Sequence, residues 1–206
     1  MVANSQLRAN AKQQLGNKIF CSTWMKMLLI CAFIPLADAA LCVTGAGIIL
    51  VMGVMQYGLA RVTTNCAKGA PWGIGQFFDG FKESFGRSLA LHIVHSIFLF
   101  LWTMLFIIPG IVKSYSYALV YYLQQEPDSA NKGPVDLITQ SRQWMKGHKW
   151  QLFCLDLSFI GWYILGALCF GVGTFFVTPY HQTARANFYL ALRAEKEVYT
   201  PSEETI

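Results

Sequence analysis

Long apolar blocks separated by short polar segments dominate the sequence. Three blocks, residues 19–60, 89–123 and 150–180, are each interrupted near the middle by a break that contains glycine. A membrane-spanning helix needs about 20 mostly apolar residues, so each block is too long for one span. Proline removes an amide donor and glycine tolerates a reversed backbone, which ends one helix and lets another begin. The breaks at 44–47, at Pro109-Gly110 and at 171–173 therefore predict three helical hairpins.

A shorter amphipathic segment precedes each hairpin. In residues 74–85 the apolar side chains recur at intervals of three and four: Ile74, Phe77, Phe78, Phe81 and Phe85. This spacing is typical of a helix that lies in the membrane interface. Segments 135–149 and 5–18 repeat the pattern more weakly, and a solvated cytoplasmic helix is the alternative for both. The predicted fold class is all-α: a polytopic membrane protein with six transmembrane helices in three hairpins, each preceded by an interfacial amphipathic helix.

The arms that return from the breaks are short. From Gly110 to Gln124, and from Gly171 to Arg185, only 14 residues separate the break from the next strongly polar side chain. Such an arm rises about 21 Å, less than the roughly 30 Å hydrocarbon core. We favour helices that continue past the polar residue, with Arg185 extending to the headgroups. The alternative is a break submerged below the outer surface, whose backbone groups must then be satisfied by protein or water.

Composition and charge place these helices in a membrane. The chain is 54% hydrophobic and 13% charged, too apolar for an ordinary soluble domain. The predicted turns carry no charge, whereas nearly all lysines and arginines lie between or outside the hairpins, so both termini are expected to face the cytoplasm. The net charge of +5 then reflects topology and anionic lipids. Membrane lipids are expected partners, as is a membrane-protein partner or a second copy, and nucleic acid is not. A secretory signal over residues 27–39 is the competing interpretation of the N-terminal region.

Two of the hairpins repeat with a period of 61 residues. Gly86 to Gly110 and Gly147 to Gly171 are both 24 residues, and the return arms have equal length. Repeat-like units are predicted at about 5–62, 74–124 and 135–192, the first of them divergent. Together they form a single integral membrane domain over 1–196, followed by a flexible polar tail at 197–206.

Polar side chains inside predicted spans are costly in lipid and are therefore the candidate binding residues. They are Lys113, Asp156, His95, His92, Asp38 and Tyr117. Topology places Asp38 and Lys113 in the outer half, where they can pair, and the 61-residue period makes His95 and Asp156 equivalent, so they can share a site. Tyr117 belongs to a group of tyrosines expected along a polar path: Tyr115, Tyr117, Tyr121 and Tyr122. For each candidate, ordinary packing or a bond to a neighbouring carbonyl is the structural alternative.

Signatures of catalysis, metals and cofactors are missing from the sequence. The six cysteines form no CxxC pair, and no GxSxG, HExxH, P-loop or dinucleotide motif occurs. His92 and His95 lie three residues apart on one helical face, but no third ligand has a recognisable metal spacing. We expect no catalytic residues, no metal and no cofactor, and we interpret the cysteines as small buried hydrophobes.

Several motifs resemble a known bacterial membrane-protein family. They are Leu101-Trp102 with the run 108–117 (IPGIVKSYSY), the run 141–147 (SRQWMKG), the run 157–162 (LSFIGW), and Pro179-Tyr180 with Thr183-Ala184 and Phe188-Tyr189. In this order they are similar to the motifs of the family called domain of unknown function 975, over roughly residues 5–192. A remoter similarity is to the membrane domain of glycerophosphodiester phosphodiesterases. The resemblance implies a multi-pass protein of a bacterial cytoplasmic membrane and leaves its chemistry open.

These observations favour a membrane protein without enzymatic activity. It is expected to be a small carrier or a lipid-facing accessory factor. Two alternatives remain: an intramembrane enzyme that acts on lipid headgroups at the cytoplasmic face, and a structural subunit of a membrane complex. A carrier predicts a polar cavity near mid-membrane between the repeats, with Asp156 or Lys113 on its wall. An enzyme predicts His92 or His95 within hydrogen-bond reach of Asp156, in a pocket open to the headgroups.

Overall fold

Ten α-helices make up the described part of the chain. The computed structural model describes residues 3–15, 22–41, 46–83, 85–168 and 172–199, with side chains omitted at 35–41, 46–51, 83, 107, 172 and 198–199. The helices are α1 (Asn4–Gln14), α2 (Ser22–Leu41), α3 (Ala46–Ala67), α4 (Ile74–Glu83), α5 (Phe85–Leu105), α6 (Ile107–Ser116), α7 (Val120–Leu123), α8 (Pro134–Trp144), α9 (Lys149–Leu168) and α10 (Val172–Tyr199). A 3₁₀ turn occupies Pro127–Ser129. The all-α class is confirmed, and no strand occurs in the ranges described.

Two helices, α5 and α9, are long and apolar enough to cross a membrane. Only 11% of the most apolar window of α5 and 22% of that of α9 is buried against the rest of the protein. A core helix of a soluble domain would be covered instead. Large apolar side chains cover the outer faces of both helices: Ile97, Phe100, Leu101, Met104, Leu105, Leu157, Ile160, Trp162, Ile164, Leu165 and Leu168. This exposure is what a lipid-facing surface requires.

The second break lies at Phe106, so the prediction that Pro109-Gly110 forms the turn is wrong. Phe106 has an extended backbone (φ −161°, ψ 141°) between α5 and α6, and Pro109 is the third residue of α6. Proline is tolerated in the first turn of a helix because amides there have no intrahelical partner. Gly110 lets the two helices touch, since a Cβ there would lie 2.8 Å from Thr103 Oγ1 and 3.0 Å from Thr103 Cα.

The α6–α7 segment runs antiparallel to α5. Gln124 Nε2 donates to Ser88 Oγ (2.8 Å) near the start of α5, and Gly110 meets Thr103 near its end. The helices α9 and α10 also run side by side, and they approach closely where Gly166 and Gly173 face each other. A Cβ on Gly173 would lie 2.5 Å from Gly166 Cα, so a larger residue would force the pair apart.

Buried apolar residues form two clusters. One joins α7, α8, α9 and α10 through residues such as Leu123, Leu137, Leu155 and Tyr189. The other joins α2, α3 and α4 and includes Met27, Met55, Val62 and Phe77. The candidate site lies where helices from both regions meet.

The three amphipathic segments all form helices: α1, α4 and α8. On α4 the apolar face is divided, because Phe77 is buried under α3 whereas Phe78 and Phe81 remain exposed. Asp79 on the polar face lies 3.9 Å from Arg61 of α3. Their position in a membrane interface stays a prediction. The 61-residue period also stays a prediction. The starts of α5 and α9, and those of α6 and α10, are separated by a few residues more than 61.

Candidate functional site

A cavity of about 580 Å³ opens between α3, α5, the α6–α7 segment and α10. Its size falls in the range of small-molecule sites, about 300–1,000 Å³. Polar groups on its wall come from every one of these helices: Gln56, His92, His95, Ser96, Ser114, Tyr115, Tyr117, Tyr121, Tyr122, Gln182 and Arg185. Apolar residues, among them Leu59 and Leu99, fill the remainder. The wall therefore offers many hydrogen-bonding groups behind an apolar outer surface.

Two predicted site residues, His92 and His95, line this cavity because of their spacing on α5. His92 and His95 are three residues apart on α5 and share one face. His92 Nδ1 lies 2.7 Å from the Tyr121 hydroxyl, and the His95 ring meets the edges of Tyr117 and Tyr121 at centroid distances of 5.9 and 5.8 Å. Tyr117 is itself buried at the end of α6. The four tyrosines expected along a polar path all line the cavity.

Arg185 is a charged residue of the cavity wall, and it binds the carboxylate of Asp156 beside the cavity. Its Nε donates to Asp156 Oδ1 at 3.0 Å, and its Nη2 donates to Asp156 Oδ2. His181 Nε2 lies 2.8 Å from Asp156 Oδ1, and His181 Nδ1 lies 3.1 Å from the Tyr163 hydroxyl. This chain of four side chains, which we call the α9–α10 network, fixes the guanidinium and neutralises its charge. No described residue hydrogen-bonds Arg185 Nη1, which leaves a donor for a ligand.

No contact between Asp156 and His95 is found among the described residues. The carboxylate is engaged by Arg185 and His181, both on α10. His92, which pairs with Tyr121, is not in contact with Asp156 either. The histidine within hydrogen-bond reach of Asp156 is therefore neither His92 nor His95 but His181, a residue that the sequence analysis did not select.

Lys113 lies outside the main cavity. Its Nζ sits 4.2 Å from the centre of the Trp102 ring, and its side chain lines a separate cavity with Arg142, Lys146 and Lys149. The sequence analysis places Lys113 in the outer half of the membrane and the other three cations on the cytoplasmic side. This prediction is wrong, because all four line the same cavity. The side chain of Asp38 lies outside the described residues, so its pairing with Lys113 stays a prediction.

Arg185, His181 and Gln182 are among the site residues that sequence reasoning missed, as are Gln56, Ser96 and Ser114. The 61-residue period could have indicated two of them, because it aligns Gln182 with Tyr121 and Arg185 with Gln124. Tyr121 and Gln124 both contact α5, through His92 and Ser88. His181 had no such signal, since it aligns with Val120, a buried apolar residue.

A second polar network ties the 124–133 loop to α10 beyond the cavity. Glu126 accepts a hydrogen bond from the Tyr189 hydroxyl and one from Arg193 Nη1 at 2.6 Å. Arg193 Nε also donates to Glu197 at 2.6 Å. The bond to Glu197, together with the nearby Glu126 carboxylate, raises the pKa of Arg193 above its usual value. These contacts hold the end of α7 in register with α10.

Metal-binding clusters are not found in the described ranges, where no three His, Cys, Asp or Glu side chains converge. Cys31 and Cys66 are buried free thiols, and Cys154 is partly buried. Burial raises the pKa of the Cys66 thiol to about 11. Cys21, Cys42 and Cys169 lie outside the described residues.

Comparison with known proteins identifies one family over the second half of the chain. Residues 107–196 match the family described as "Protein of unknown function (DUF975)". The DUF975 match starts at the first residue of α6 and ends within α10, so it includes Lys113, Tyr117, Asp156 and Arg185 but neither cavity histidine. No curated protein and no solved structure matches the chain. The DUF975 resemblance is thereby supported, and the similarity to glycerophosphodiester phosphodiesterases is not shown.

Proposed function

We propose that the protein is a multi-pass membrane carrier that binds a small polar solute in the cavity between α3, α5, α6–α7 and α10. The observation that carries this proposal is the composition of the wall: imidazole, phenol, amide and hydroxyl groups surround one guanidinium whose charge Asp156 balances. Such a wall suits a neutral or singly negative solute that makes several hydrogen bonds. The exposed apolar faces of α5 and α9 support a lipid environment around it.

The enzymatic alternative has less support. A general base needs a free acid–base group within reach of a substrate, about 2.6–3.2 Å. Asp156 is occupied by Arg185 and His181, and His92 by Tyr121. His95 makes ring contacts with Tyr117 and Tyr121 but no hydrogen bond to a described residue, so a catalytic role would depend on this histidine alone.

We further infer that the α5–α6 turn is submerged in the membrane and does not reach the outer surface. Ile111 and Val112 line a groove with Lys149 and Trp150, the first residues of α9. The turn at Phe106 lies five residues before Ile111, which corresponds to about 8 Å at 1.5 Å per residue. Helix α9 has 20 residues and rises about 30 Å, so the turn lies well short of the level at which α9 ends.

The backbone of this turn suits such a position. Phe106 N–H donates to Trp102 O (3.2 Å), and Gly110 N–H donates to Phe106 O (3.1 Å). Pro109 has no N–H to satisfy. Lipid provides no hydrogen-bonding partners, so a turn with few free amides costs less there. The Pro-Gly pair thus serves to begin α6 inside an apolar environment.

Ligand binding tests the solute cavity directly. The purified chain would be screened for thermal stabilisation by small monocarboxylates, zwitterionic amino acids and sugars, and the best ligand would be followed by uptake into proteoliposomes. His95→Gln is expected to weaken the stabilisation and the uptake, because its ring lines the cavity. His148→Gln is the matched control, since His148 is a buried histidine away from it, near Glu195. Equal effects of the two variants, or binding without any uptake, would contradict the carrier proposal.

Cysteine labelling tests the membrane topology. Both termini and the 124–133 loop are proposed to be cytoplasmic. In a chain without native cysteines, Phe106→Cys should resist a membrane-impermeant maleimide from either side of the membrane and react only after the protein is denatured in detergent, since a thiol in hydrocarbon stays protonated. Asp128→Cys, in the exposed 3₁₀ turn, should react with the impermeant reagent only after the cells are opened. Labelling of Phe106→Cys in intact cells would place the turn at the outer surface instead.

A further inference from the structure

A second cavity of about 380 Å³ lies between α6, α8 and the beginning of α9. Its lining contains four cations and no carboxylate: Lys113, Ser116, Thr139, Arg142, Gln143, Lys146 and Lys149. None of the four cations forms a salt bridge with a described residue, whereas Arg61, Arg185 and Arg193 elsewhere all do. Positive charges gathered without a counterion repel one another, so this cavity favours an anion.

Tertiary contacts hold these cations together. Ser141 Oγ donates to Ser116 O at 2.9 Å, which fixes α8 against the end of α6. Lys113 is positioned by the Trp102 ring, 4.2 Å from its Nζ. A cation above an aromatic face is stabilised there while its outer side remains free. The cluster is therefore set by the fold of this region.

An apolar groove continues from the cationic cavity. It is lined by Ile111, Val112, Tyr115, Lys149, Trp150 and Phe153 and encloses about 190 Å³. Lys149 borders both spaces. Trp150 is 73% exposed and stacks on Phe153 at 5.2 Å. An exposed tryptophan at the start of an apolar helix is typical of the membrane interface.

We propose that the cavity and the groove together bind one anionic phospholipid. The phosphate of the headgroup lies among Lys113, Arg142, Lys146 and Lys149, and an acyl chain extends along Ile111, Val112, Trp150 and Phe153. A free phosphate would use only the cationic part, and a zwitterionic lipid would bring its own positive charge into it. The cationic cavity shares no lining residue with the solute cavity, whereas the groove shares Ile111 and Tyr115 with it. Loss of lipid binding in variants of the cations therefore tests the lipid proposal apart from the solute proposal.

Lipid titration of the full-length chain in nonionic detergent, followed by native mass spectrometry, tests the charge requirement. The probes are short-chain phosphatidylglycerol, phosphatidylcholine of the same chain length, and inorganic phosphate. Each basic residue near an anionic lipid contributes about 1 kcal/mol, and 1.4 kcal/mol is tenfold in affinity, so Arg142→Gln with Lys146→Gln should weaken phosphatidylglycerol binding on the order of 30-fold. The matched control, Lys12→Gln with Lys82→Gln, removes two exposed cations from α1 and α4 and should have little effect.

Two further variants separate the possible outcomes. Gln143→Glu keeps all four cations but adds a carboxylate to the lining, and it should also weaken binding. Trp150→Ala should weaken it through the groove, whereas Trp162→Ala, another exposed tryptophan of α9, should not. The proposal is overturned if both double variants act equally, if the two lipids bind alike, or if phosphate displaces the lipid and Trp150→Ala is without effect. Unchanged melting temperatures of the variants exclude misfolding as the cause.

Discussion

Gly53 is the position where one added methyl group should disturb both packing and the candidate site. It lies on α3 against α5, and a Cβ there would be 2.5 Å from His92 Cβ and 2.9 Å from the Ser88 carbonyl oxygen. Nonbonded carbons rest at about 3.5–4.0 Å, so Gly53→Ala requires the helices to separate by about 1 Å. Neither neighbour can avoid the methyl by rotation, because both atoms are fixed by the backbone of α5.

The expected cost follows from two opposing effects. Overpacking of a buried contact costs about 1–3 kcal/mol, and replacing glycine by alanine inside a helix returns about 0.5–1 kcal/mol. The net loss is up to about 2.5 kcal/mol, which should lower the melting temperature by up to about 10 °C for a chain of this size. Because His92 moves with α5, its 2.7 Å contact with Tyr121 should lengthen, and solute binding should weaken as well.

Thermal unfolding of the purified protein, followed by tryptophan fluorescence, measures this loss. Gly161→Ala on α9 is the matched control, because a Cβ there would meet nothing within 4 Å. That variant should keep or slightly raise the melting temperature. If Gly53→Ala melts at or above the temperature of Gly161→Ala, the close approach of α3 and α5 described here is wrong.

Three other predictions concern the polar networks and a buried thiol. Asp156→Asn should destabilise the protein by about 1–3 kcal/mol because the Arg185 charge loses its partner, and the double variant with Arg185→Gln should recover part of the loss in melting temperature. Cys66 should react with maleimide far more slowly at pH 8 in the native than in the unfolded protein, and faster as the pH rises toward 11, since only the thiolate reacts. Glu126→Gln should increase proteolysis of the 124–133 loop, whereas Asp128→Asn, exposed in the same loop, should not.

Local pattern was sufficient to predict the all-α class, helix α4 and one face of the site. The period of three and four in residues 74–85 corresponds to α4, and the three-residue spacing of His92 and His95 brought both to the same cavity. Both predictions depend only on the geometry of a single helix. The turn was assigned to Pro109 because proline indicates that a helix boundary is near. The sequence does not show whether that boundary lies before or after the proline.

Contacts between helices could not be predicted in this way. Asp156 was paired with His95 through the 61-residue period, yet the antiparallel register of α9 on α10 brings it to His181 and Arg185. Lys113 was placed by its distance along the chain from a turn, and that distance does not reveal that α6 packs against the first residues of α9. Register and crossing angle depend on how closely glycines and side chains let helices approach.

The α9–α10 network also has a direction. Arg185 can only donate, so Asp156 accepts from it and from His181 Nε2–H. When the imidazole is neutral and donates through Nε2, its Nδ1 accepts, and the Tyr163 hydroxyl then points its hydrogen at His181. In that tautomer every hydrogen bond of the α9–α10 network points toward the Asp156 carboxylate. A solute that drew the guanidinium away from Asp156 would leave a carboxylate oxygen without its donor. A proton that bound to this oxygen would extend the line of hydrogen bonds that runs from Tyr163 through His181 to Asp156.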